Sequence, residues 1–544
     1  MDRAPHDPVP DRRLAPHRAV ALAAAASVAL ALAGCASVAP PGAGAPRDAG
    51  PARCDALVRA VDRAVDAAGV RDAQHAPHPA SPWLRVDRFT ASFAASFASA
   101  PLDAEALGAW LARMRDADAR SREVEVGNLP DTDLAGLAGL ASPPDLATPS
   151  SSPVVGARAA APRDALTDAL AACGASALAA LRADPDAIAR VREGARVPDD
   201  YSDALRTLGL YPIASLPFGA GVAREEAAMR AAFERHAGRL GDGTTRYLPP
   251  VTARTAVALP PPDALGVLRL DASTRDALLA AHAPVWALAG DGPDDRIGRV
   301  VLDADDGPRT EPALPTVYGR VAFTRWDGGV RVQLVYTAWF PRRAPAGPLD
   351  PLAGRLDAVV LRATLDADGR VAMVDSIHAC GCWHLFVPVG PWRVRPAPSK
   401  REEWAFVPAR LDAVPQGTRL RVRLAARTHA VEGIDAVPDP REDRDGVRYT
   451  LVDDDALRRL PRVHGGTRSL FDARGRVPGS ERAERWLFWP MGIPDAGSMR
   501  QWGRQPTAFV GRRHFDDADL LERRFGRVPA DRPEMPPARA PRSP

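Results

Sequence analysis

Residues 316–340 read TVYGRVAFTRWDGGVRVQLVYTAWF, the strongest local structural signal in the chain. The runs Thr316 to Trp326 and Val330 to Phe340 are rich in β-branched and aromatic residues, and Asp327-Gly328-Gly329 separates them. An Asp-Gly pair between two such runs is typical of a tight hairpin turn, because the central residues of that turn need positive φ angles. The stretch therefore predicts an antiparallel β-hairpin.

The strand pattern continues on the C-terminal side of this hairpin, with a second turn signal at Asp368-Gly369. Short runs of β-forming residues with period two predict three further strands: Leu356 to Leu365, Val371 to Phe386, and Arg419 to Ala426. Together these signals predict an antiparallel β-rich domain over 298–460, arranged as a sheet or a sandwich.

The N-terminal half has a helical pattern instead, which we assign to a helical domain over 53–240. Apolar residues from Cys54 to Val65 recur at helix spacing, and Gly69 follows them as a C-cap. Asp103 and Asp164 are placed to cap two later helices. The predicted fold class is α+β, with a helical N-terminal half followed by an antiparallel β-rich C-terminal domain.

Three regions complete the predicted organisation. Residues 241–297 connect the helical and β-rich domains. Residues 461–528 form a C-terminal extension with a short helix that starts near Asp516 and Asp517. Residues 529–544 are rich in Pro, Arg and Ala and are predicted to be disordered.

The N-terminus has the composition of an export signal. Arg12, Arg13 and Arg18 precede a run from Ala19 to Leu32 that is apolar apart from Ser27, and small residues follow it. A run of this length, about fourteen residues, rises only about 21 Å as a helix, whereas a membrane span needs roughly 20 residues. The segment 1–34 is therefore predicted to be a cleaved signal peptide rather than a transmembrane helix.

The end of that run, Leu32-Ala33-Gly34-Cys35, resembles the lipobox of bacterial lipoproteins. The resemblance implies that Cys35 carries a diacylglycerol and begins the mature chain. Ala36 implies sorting to the periplasmic face of the outer membrane, because residues other than Asp there usually do so in that family. Residues 35–52, rich in Pro, Gly and Ala, would form a flexible tether. A soluble secreted protein with an incidental cysteine is the alternative.

Charge and motifs exclude two classes of partner. Basic residues number 71 and acidic residues 68, and they are interspersed, so nothing marks a nucleic-acid surface. The sequence holds no phosphate-binding loop, so we predict no nucleotide. It also lacks a G-x-S-x-G nucleophile elbow, which argues against an esterase despite the loop His464-Gly465-Gly466.

Four cysteines remain after Cys35, and an even number of thiols in an oxidising compartment favours disulfides. We favour a Cys54–Cys173 disulfide, because both residues lie in helical segments of the N-terminal half while Cys380 and Cys382 lie far from them in sequence.

His378, Cys380, Cys382 and His384 alternate with other residues in HACGCWH, and such donors suit a Zn or Cu ion. On a straight strand the two histidines would lie about 20 Å apart, so one ion could collect all four ligands only if the chain bent sharply at Gly381. Three interpretations stay open: a Cys380–Cys382 disulfide, a metal site, or buried thiols and histidines of an ordinary core.

Other polar and aromatic residues allow weaker hypotheses. His514 beside Asp516 and Asp517 could serve a catalytic role, but capping by the two carboxylates and a solvated histidine explain the same pattern. A glycan-stacking platform would require several tryptophans to share an exposed face: Trp326, Trp339, Trp383, Trp392 and Trp404.

The strings QLVYTAWFP, DSIHACGCWH and AFVGRRHFDD are similar to those of a family of proteobacterial envelope proteins, a resemblance that implies an envelope address and no activity. We therefore expect a lipid-anchored envelope protein with a binding or structural role and an envelope protein or a glycan as partner. The alternative is a metal-binding or thiol-redox protein centred on residues 378–384. No catalytic residue and no cofactor is predicted, apart from the Zn or Cu ion of that alternative.

Overall fold

A computed structural model describes residues 50–99, 103–141, 162–238, 243–251, 257, 259–399, 401–441, 443 and 445–528. The predicted signal peptide, Cys35, Ala36 and the C-terminal tail lie outside the described residues. From Pro51 onward the chain forms one compact unit. The first helix begins at Gly50, so it includes the last three residues of the predicted tether.

The predicted helical half contains eight helices among its described residues. They are α1 Gly50–Ala68, α2 Arg88–Ser99, α3 Ala104–Asn128, α4 Asp131–Ala141, α5 Pro162–Arg182, α6 Pro185–Gly194, α7 Asp203–Leu208 and α8 Tyr211–His236. Asp103 caps α3 as predicted, since its side chain accepts the Glu105 N–H. Asp164 instead lies in the first turn of α5, which begins two residues earlier at a proline.

Cys54 of α1 and Cys173 of α5 form the predicted disulfide, with a Cα–Cα distance of 5.4 Å. The apolar residues of α1 that follow at helix spacing, among them Leu57 and Val61, are buried in the same helical core. By length and composition α5 could cross a membrane; 22% of its apolar window is buried, and its buried residues are Leu166, Leu170 and Gly174.

The predicted hairpin opens a six-stranded sheet. Its strands are β7 Thr316–Trp326, β8 Gly329–Arg343, β9 Gly354–Leu365, β10 Val371–His378, β11 Leu385–Pro388 and β16 Thr450–Asp453. The order is β11-β10-β9-β8-β7-β16, antiparallel except for the parallel pair β7 and β16. Asp327 and Gly328 have φ angles of 54° and 70°, as the tight turn requires.

A second, five-stranded sheet packs on one face of the first. Its order is β14-β13-β4-β3-β15, from strands β3 Thr245–Leu248, β4 Val285–Ala289, β13 Thr418–Ala425, β14 Val431–Pro438 and β15 Val447–Arg448. Leu288 and Val422 of this sheet share a core with Leu334 and Leu361 of the first. The region predicted only to connect the two domains thus supplies β3, β4 and the helix α9 Ala272–His282.

The other face of the six-stranded sheet is covered by the C-terminal segment, because Val335 and Trp339 share a core with Val477 and Met499. Both faces of the sheet are therefore buried. The remaining elements are short: β1 Ala76–Pro77, β2 Arg85–Val86, β5 Arg299–Leu302, β6 Pro308–Glu311, β12 Trp392–Val394, β17 Leu460–Pro461, β18 Thr467–Arg468, α10 Arg485–Phe488, α11 Leu520–Arg524 and β19 Phe525–Arg527.

Candidate functional site

The segment 379–384 is a tight turn between β10 and β11, and the predicted continuous strand from Val371 to Phe386 is wrong at this point. The backbone N–H of Gly381 donates to the His378 carbonyl at 2.8 Å, and the N–H of His378 donates to the Cys382 carbonyl at 3.0 Å. Gly381 has a φ of 98°, and a Cβ there would collide with the Pro506 carbonyl oxygen. Glycine therefore allows both the bend and the close approach of the C-terminal segment.

His378 lies behind this turn, in a buried polar cluster around Asp357. The Asp357 carboxylate accepts hydrogen bonds from His378 Nδ1 at 3.3 Å, His429 Nδ1 at 2.8 Å and Arg482 at 2.9 Å. Burial alone would raise the pKa of Asp357, but Arg482 and the imidazoles outweigh burial and hold this pKa well below its usual range. Because the Asp357 carboxylate is held by three hydrogen-bond partners, we interpret this cluster as a structural part of the core.

His384 belongs to a second buried cluster, around Asp375. Arg362 donates two hydrogen bonds to the Asp375 carboxylate, and His384 Nε2 lies 3.0 Å from the same group. Burial lowers the pKa of His384 to about 3, so its imidazole is neutral. Its other nitrogen, Nδ1, is buried and has no hydrogen-bond partner among the described residues.

The four residues predicted as metal ligands are thus only partly brought together. Cys380 and Cys382 are in contact, while His378 and His384 are each held by a different carboxylate. Within the part of the chain that the structure describes, no group of three or more His, Cys, Asp or Glu side chains is arranged to hold a metal ion.

Cys380 and Cys382 are free thiols, joined by a hydrogen bond between their side chains. This hydrogen bond lowers the pKa of Cys380, and the nearby Arg482 guanidinium acts in the same direction. The same hydrogen bond and burial raise the pKa of Cys382 well above its usual value. Cys380 is the more acidic thiol and is buried, whereas Cys382 is half-buried.

Both thiols line a cavity of about 640 Å³. One wall is the middle of α8, and the opposite walls come from the 378–384 turn and from the C-terminal segment. The lining is mainly aromatic and aliphatic, with rings from Phe218, Trp383, Phe406, Phe488 and Phe509. This volume and lining are typical of a small-molecule or side-chain binding pocket.

Glu484 is the most unusual polar group of this pocket. It is only 2% exposed, and its carboxylate makes no hydrogen bond to any residue that the structure describes. The carboxylate packs against Gly497, where a Cβ would collide with it. Burial raises the pKa of Glu484 to about 7, against the opposing pull of Arg482 and Arg343. Near neutral pH this group can therefore both accept and donate a proton.

Glu226 of α8 and Glu403 also line the pocket. Burial raises the pKa of Glu226, and the charge of Glu403 raises it further. Glu403 has partners, since it accepts the backbone N–H groups of Phe509 and Val510 at 2.7 and 3.0 Å. Nothing in the sequence around these glutamates or around Glu484 distinguishes them from ordinary surface charges, so sequence reasoning missed all three.

His514 lies outside the pocket, in a cluster of carboxylates. Its Nε2 is 3.4 Å from Asp199 and 3.6 Å from Asp200, so the cluster joins the 199–201 segment to the C-terminal segment. The predicted helix starts at Leu520 rather than near Asp516, and the Asp517 side chain instead accepts the His514 backbone N–H. A catalytic role for His514 stays a hypothesis.

The five tryptophans considered for glycan stacking do not form a shared exposed face. Trp326, Trp339 and Trp392 are buried, and Trp383 and Trp404 are half-buried. Most of these aromatic side chains belong to the core, so these five residues do not form a platform for glycan stacking. Binding of a glycan stays a prediction, and these five tryptophans do not support it.

Comparisons with known proteins identify no family. No family model matches the chain, and no curated protein sequence matches it. One solved structure, described as "Toxin fold for microbial attack and plant defense", is similar over 37% of this chain and 80% of its own chain, at 13% identity and a TM-score of 0.20. A TM-score this low carries no argument about fold or function.

Proposed function

We propose that the chain is an exported, lipid-anchored envelope protein that oxidises dithiol substrates through a Cys380–Cys382 disulfide in its pocket. The observation that carries this proposal is the contact between two free thiols on the wall of a cavity that also holds the carboxyl of Glu484, which has no hydrogen bond to a described residue. Exchange between thiols and disulfides needs a sulfur that can be reached, an acidic leaving thiol and a group that moves protons.

The direction of the reaction follows from the spacing. A disulfide across the single residue Gly381 departs from relaxed disulfide geometry, and strained disulfides are more easily reduced. The oxidised pair is therefore expected to accept electrons from a substrate dithiol. The Cys54–Cys173 disulfide supports an oxidising compartment, in which the pair could be regenerated by another disulfide.

The proposed steps balance in atoms and electrons. One substrate thiol loses its proton and attacks the sulfur of Cys382, the more exposed cysteine; the Cys380–Cys382 bond breaks, and Cys380 leaves as the thiolate that takes up a proton. The second substrate thiol passes its proton to the Glu484 carboxylate and attacks the substrate sulfur of the mixed disulfide. Cys382 leaves and takes the proton from Glu484. The substrate gains a disulfide, and the protein becomes the dithiol.

The choice of leaving group rests on the two thiols being different. A thiol of lower pKa leaves faster, and both the Cys382 hydrogen bond and Arg482 favour the Cys380 thiolate. Cys382, with its raised pKa, is the better group to hold the substrate in a mixed disulfide. Cys380, the more acidic thiol, is thus the leaving group, and Cys382, the more exposed thiol, is the residue that forms the mixed disulfide.

The test is a titration of the purified mature protein in glutathione buffers, with alkylation and intact-mass readout of each cysteine. We expect Cys380 and Cys382 to interconvert between dithiol and disulfide at a potential where Cys54–Cys173 stays oxidised. A Cys380→Ser variant should accumulate glutathione on Cys382, and a Cys382→Ser variant should accumulate less on Cys380. A pair that remained as two thiols throughout would overturn the proposal.

A second candidate is capture of Cu(I) or Zn(II) by Cys380 and Cys382. It is favoured by His384, whose Nδ1 has no partner among the residues that the structure describes while Nε2 is held by a carboxylate, as in many metal-ligating histidines. His384 also lines the pocket. Elemental analysis of the same protein separates the two functions, because a metal lost in Cys380→Ser would favour capture over exchange.

The lipid anchor is tested separately. A Cys35→Ser variant should leave an uncleaved precursor or release the protein from the membrane fraction, because thioether attachment requires the cysteine sulfur. Labelling with a radioactive fatty acid should be lost in this variant. Unchanged labelling would show that Cys35 is not the lipidated residue, and it would leave the chemistry of the pocket unaffected.

A further inference from the structure

The charged groups of the pocket do not balance one another. Its lining includes Glu226, Glu403 and Glu484, and the buried cation among the lining residues is Arg482. The Nη2 of Arg482 donates to the Asp357 carboxylate at 2.9 Å, which neutralises much of its charge, while its Nε has no hydrogen-bond partner among the described residues. Glu484 and Glu226 have no hydrogen bond to any described residue.

The two remaining charges in the lining, Arg224 and Glu225, are exposed neighbours on α8. They carry opposite signs and are screened by water, so they add little net field inside the cavity. The apolar cavity thus holds the buried carboxyl of Glu484 and the half-buried carboxyl of Glu226, neither of which is hydrogen-bonded to a described residue. A buried carboxylate without a partner is costly, and a cation placed beside it removes that cost.

We infer that the pocket binds organic cations with an apolar body, in which a protonated amine or a guanidinium meets Glu484 and Glu226. This inference names the substrate class of the proposed exchange reaction, and in that respect it rests on the proposed function. The cation would sit beside Glu484, and its apolar part would pack on the rings that line the cavity. A peptide segment in which a basic residue and an apolar residue flank a cysteine has this chemistry.

The aromatic lining supports the same ligand class. Phe406, Phe488 and Phe509 surround the cavity, and an aromatic face attracts a cation while an aromatic edge packs on apolar groups. The cavity of about 640 Å³ is large enough for a ring and an amine but not for a folded domain. An anionic ligand would meet two carboxyls, and Arg482, the buried cation of the described lining, is already paired with the Asp357 carboxylate.

Binding of a cation should be linked to proton release. Burial raises the pKa of Glu484 to about 7, so part of this group is protonated at neutral pH. A bound cation favours the ionised form, and affinity should therefore rise as pH increases through neutrality. The groups that act on Glu484 are Arg482, Arg343, Asp357 and Asp350, together with the thiols of Cys380 and Cys382.

The experiment uses the full mature chain with Cys380→Ser and Cys382→Ser, so that binding is measured without thiol exchange. Three probes of similar size share a phenyl ring on a three-carbon chain and differ in the terminal group, which is cationic, neutral or anionic: 3-phenylpropylamine, 3-phenylpropanol and 3-phenylpropionate. Calorimetric titration between about pH 6 and pH 8 measures each affinity. We expect the amine to bind at least about tenfold more tightly than the alcohol, the carboxylate to bind weakest, and the amine affinity to increase with pH.

Two variants locate the effect. Glu484→Gln should remove most of the preference for the amine and its pH dependence, and Glu234→Gln, at an exposed position of α8 outside the pocket lining, is the matched control that should change neither. Glu226→Gln provides a second test if Glu484→Gln folds poorly. Equal affinities for amine and alcohol, or no binding of the amine at millimolar concentration, would overturn the inference. Either result would leave the redox titration of the wild-type pair unaffected.

Discussion

The molecule contains two pairs of cysteines in very different surroundings. Cys54 and Cys173 join α1 to α5 across 119 residues of sequence, and the side chains around them are aliphatic. Cys380 and Cys382 lie one residue apart on a turn, with Arg482 and Glu484 close enough to change their pKa values. The first pair constrains the fold, and the second has the surroundings that thiol chemistry needs.

The difference shows that proximity of two thiols does not by itself indicate their role. A disulfide between distant segments stabilises the fold by restricting the unfolded chain, and it needs no ionisable neighbours. A pair on one turn closes almost no loop and restricts little. What distinguishes such a pair is the set of neighbouring groups that determine the pKa values of its thiols, and in this protein those groups face a cavity.

The largest expected effect is loss of the structural disulfide. Replacing both Cys54 and Cys173 by Ala should lower the free energy of unfolding by about 5 kcal/mol, because the closed loop is long. Urea unfolding without reductant measures this change. The matched control is the Cys380→Ser, Cys382→Ser double variant, which should change stability by less than about 1 kcal/mol. A similar loss in both double variants would contradict the distinction between the two pairs.

The next effect comes from Gly381, between the two pocket thiols. Gly381→Ala should lower the free energy of unfolding by about 3 kcal/mol, because φ is positive and the new Cβ would collide with the Pro506 carbonyl. Gly465→Ala is the matched control, since Gly465 has a φ of 96° and no atom near its Cβ position. Equal losses in the two variants would mean that the approach of Pro506 does not constrain the turn.

A smaller effect is expected from Glu484, through pH. Its folded pKa of about 7 lies above the ordinary glutamate value, so the folded state binds more protons and loses stability as pH rises from about 4.5 to 7. Glu484→Gln removes this loss and should be more stable than wild type by about 2 kcal/mol at pH 8, with little difference at low pH. Glu234→Gln, at an exposed position of α8 outside the pocket, is the control in the same urea titrations. A difference that did not change with pH would contradict the raised pKa.

The smallest effect concerns reactivity. In the reduced protein, Cys382→Ser replaces the thiol that donates a hydrogen bond to Cys380 with a group of different length and acidity. We expect alkylation of Cys380 by iodoacetamide at neutral pH to slow severalfold, because less thiolate is present. The alkylation rate measured as a function of pH would show directly how far the pKa of Cys380 has shifted. An unchanged pH profile would mean that the hydrogen bond does not set the acidity of Cys380.

Much of the architecture could be predicted from short-range patterns. Leu57, Val58, Val61 and Val65 are buried where helix spacing places them, and the Asp327-Gly328 turn joins β7 to β8 as predicted. The Cys54–Cys173 disulfide followed from both residues lying in helices of the same half. These features depend on φ preferences and on the period of apolar residues, which neighbouring residues in sequence control.

Other features depended on partners far away in the chain. Strands β3 and β4 come from a region with weak local signals, and they are held by pairing with β13 and β15, more than a hundred residues later. The six-stranded sheet is buried on both faces, so its pattern alone could not show what covers it. The sequence of one strand does not show which distant strand it pairs with, because that pairing depends on the tertiary structure.

The candidate site shows the same division. HACGCWH already showed two thiols, two imidazoles and a glycine at which the chain would have to bend. The fold decided which side chains lie close together. Asp357 and Asp375 hold the two histidines behind the turn, while Glu484, the residue before α10, lies close enough to the thiols to raise their pKa values. Residue identity sets what a group can donate or accept, but burial and neighbours set its charge and its access, and these exist only once distant segments pack together.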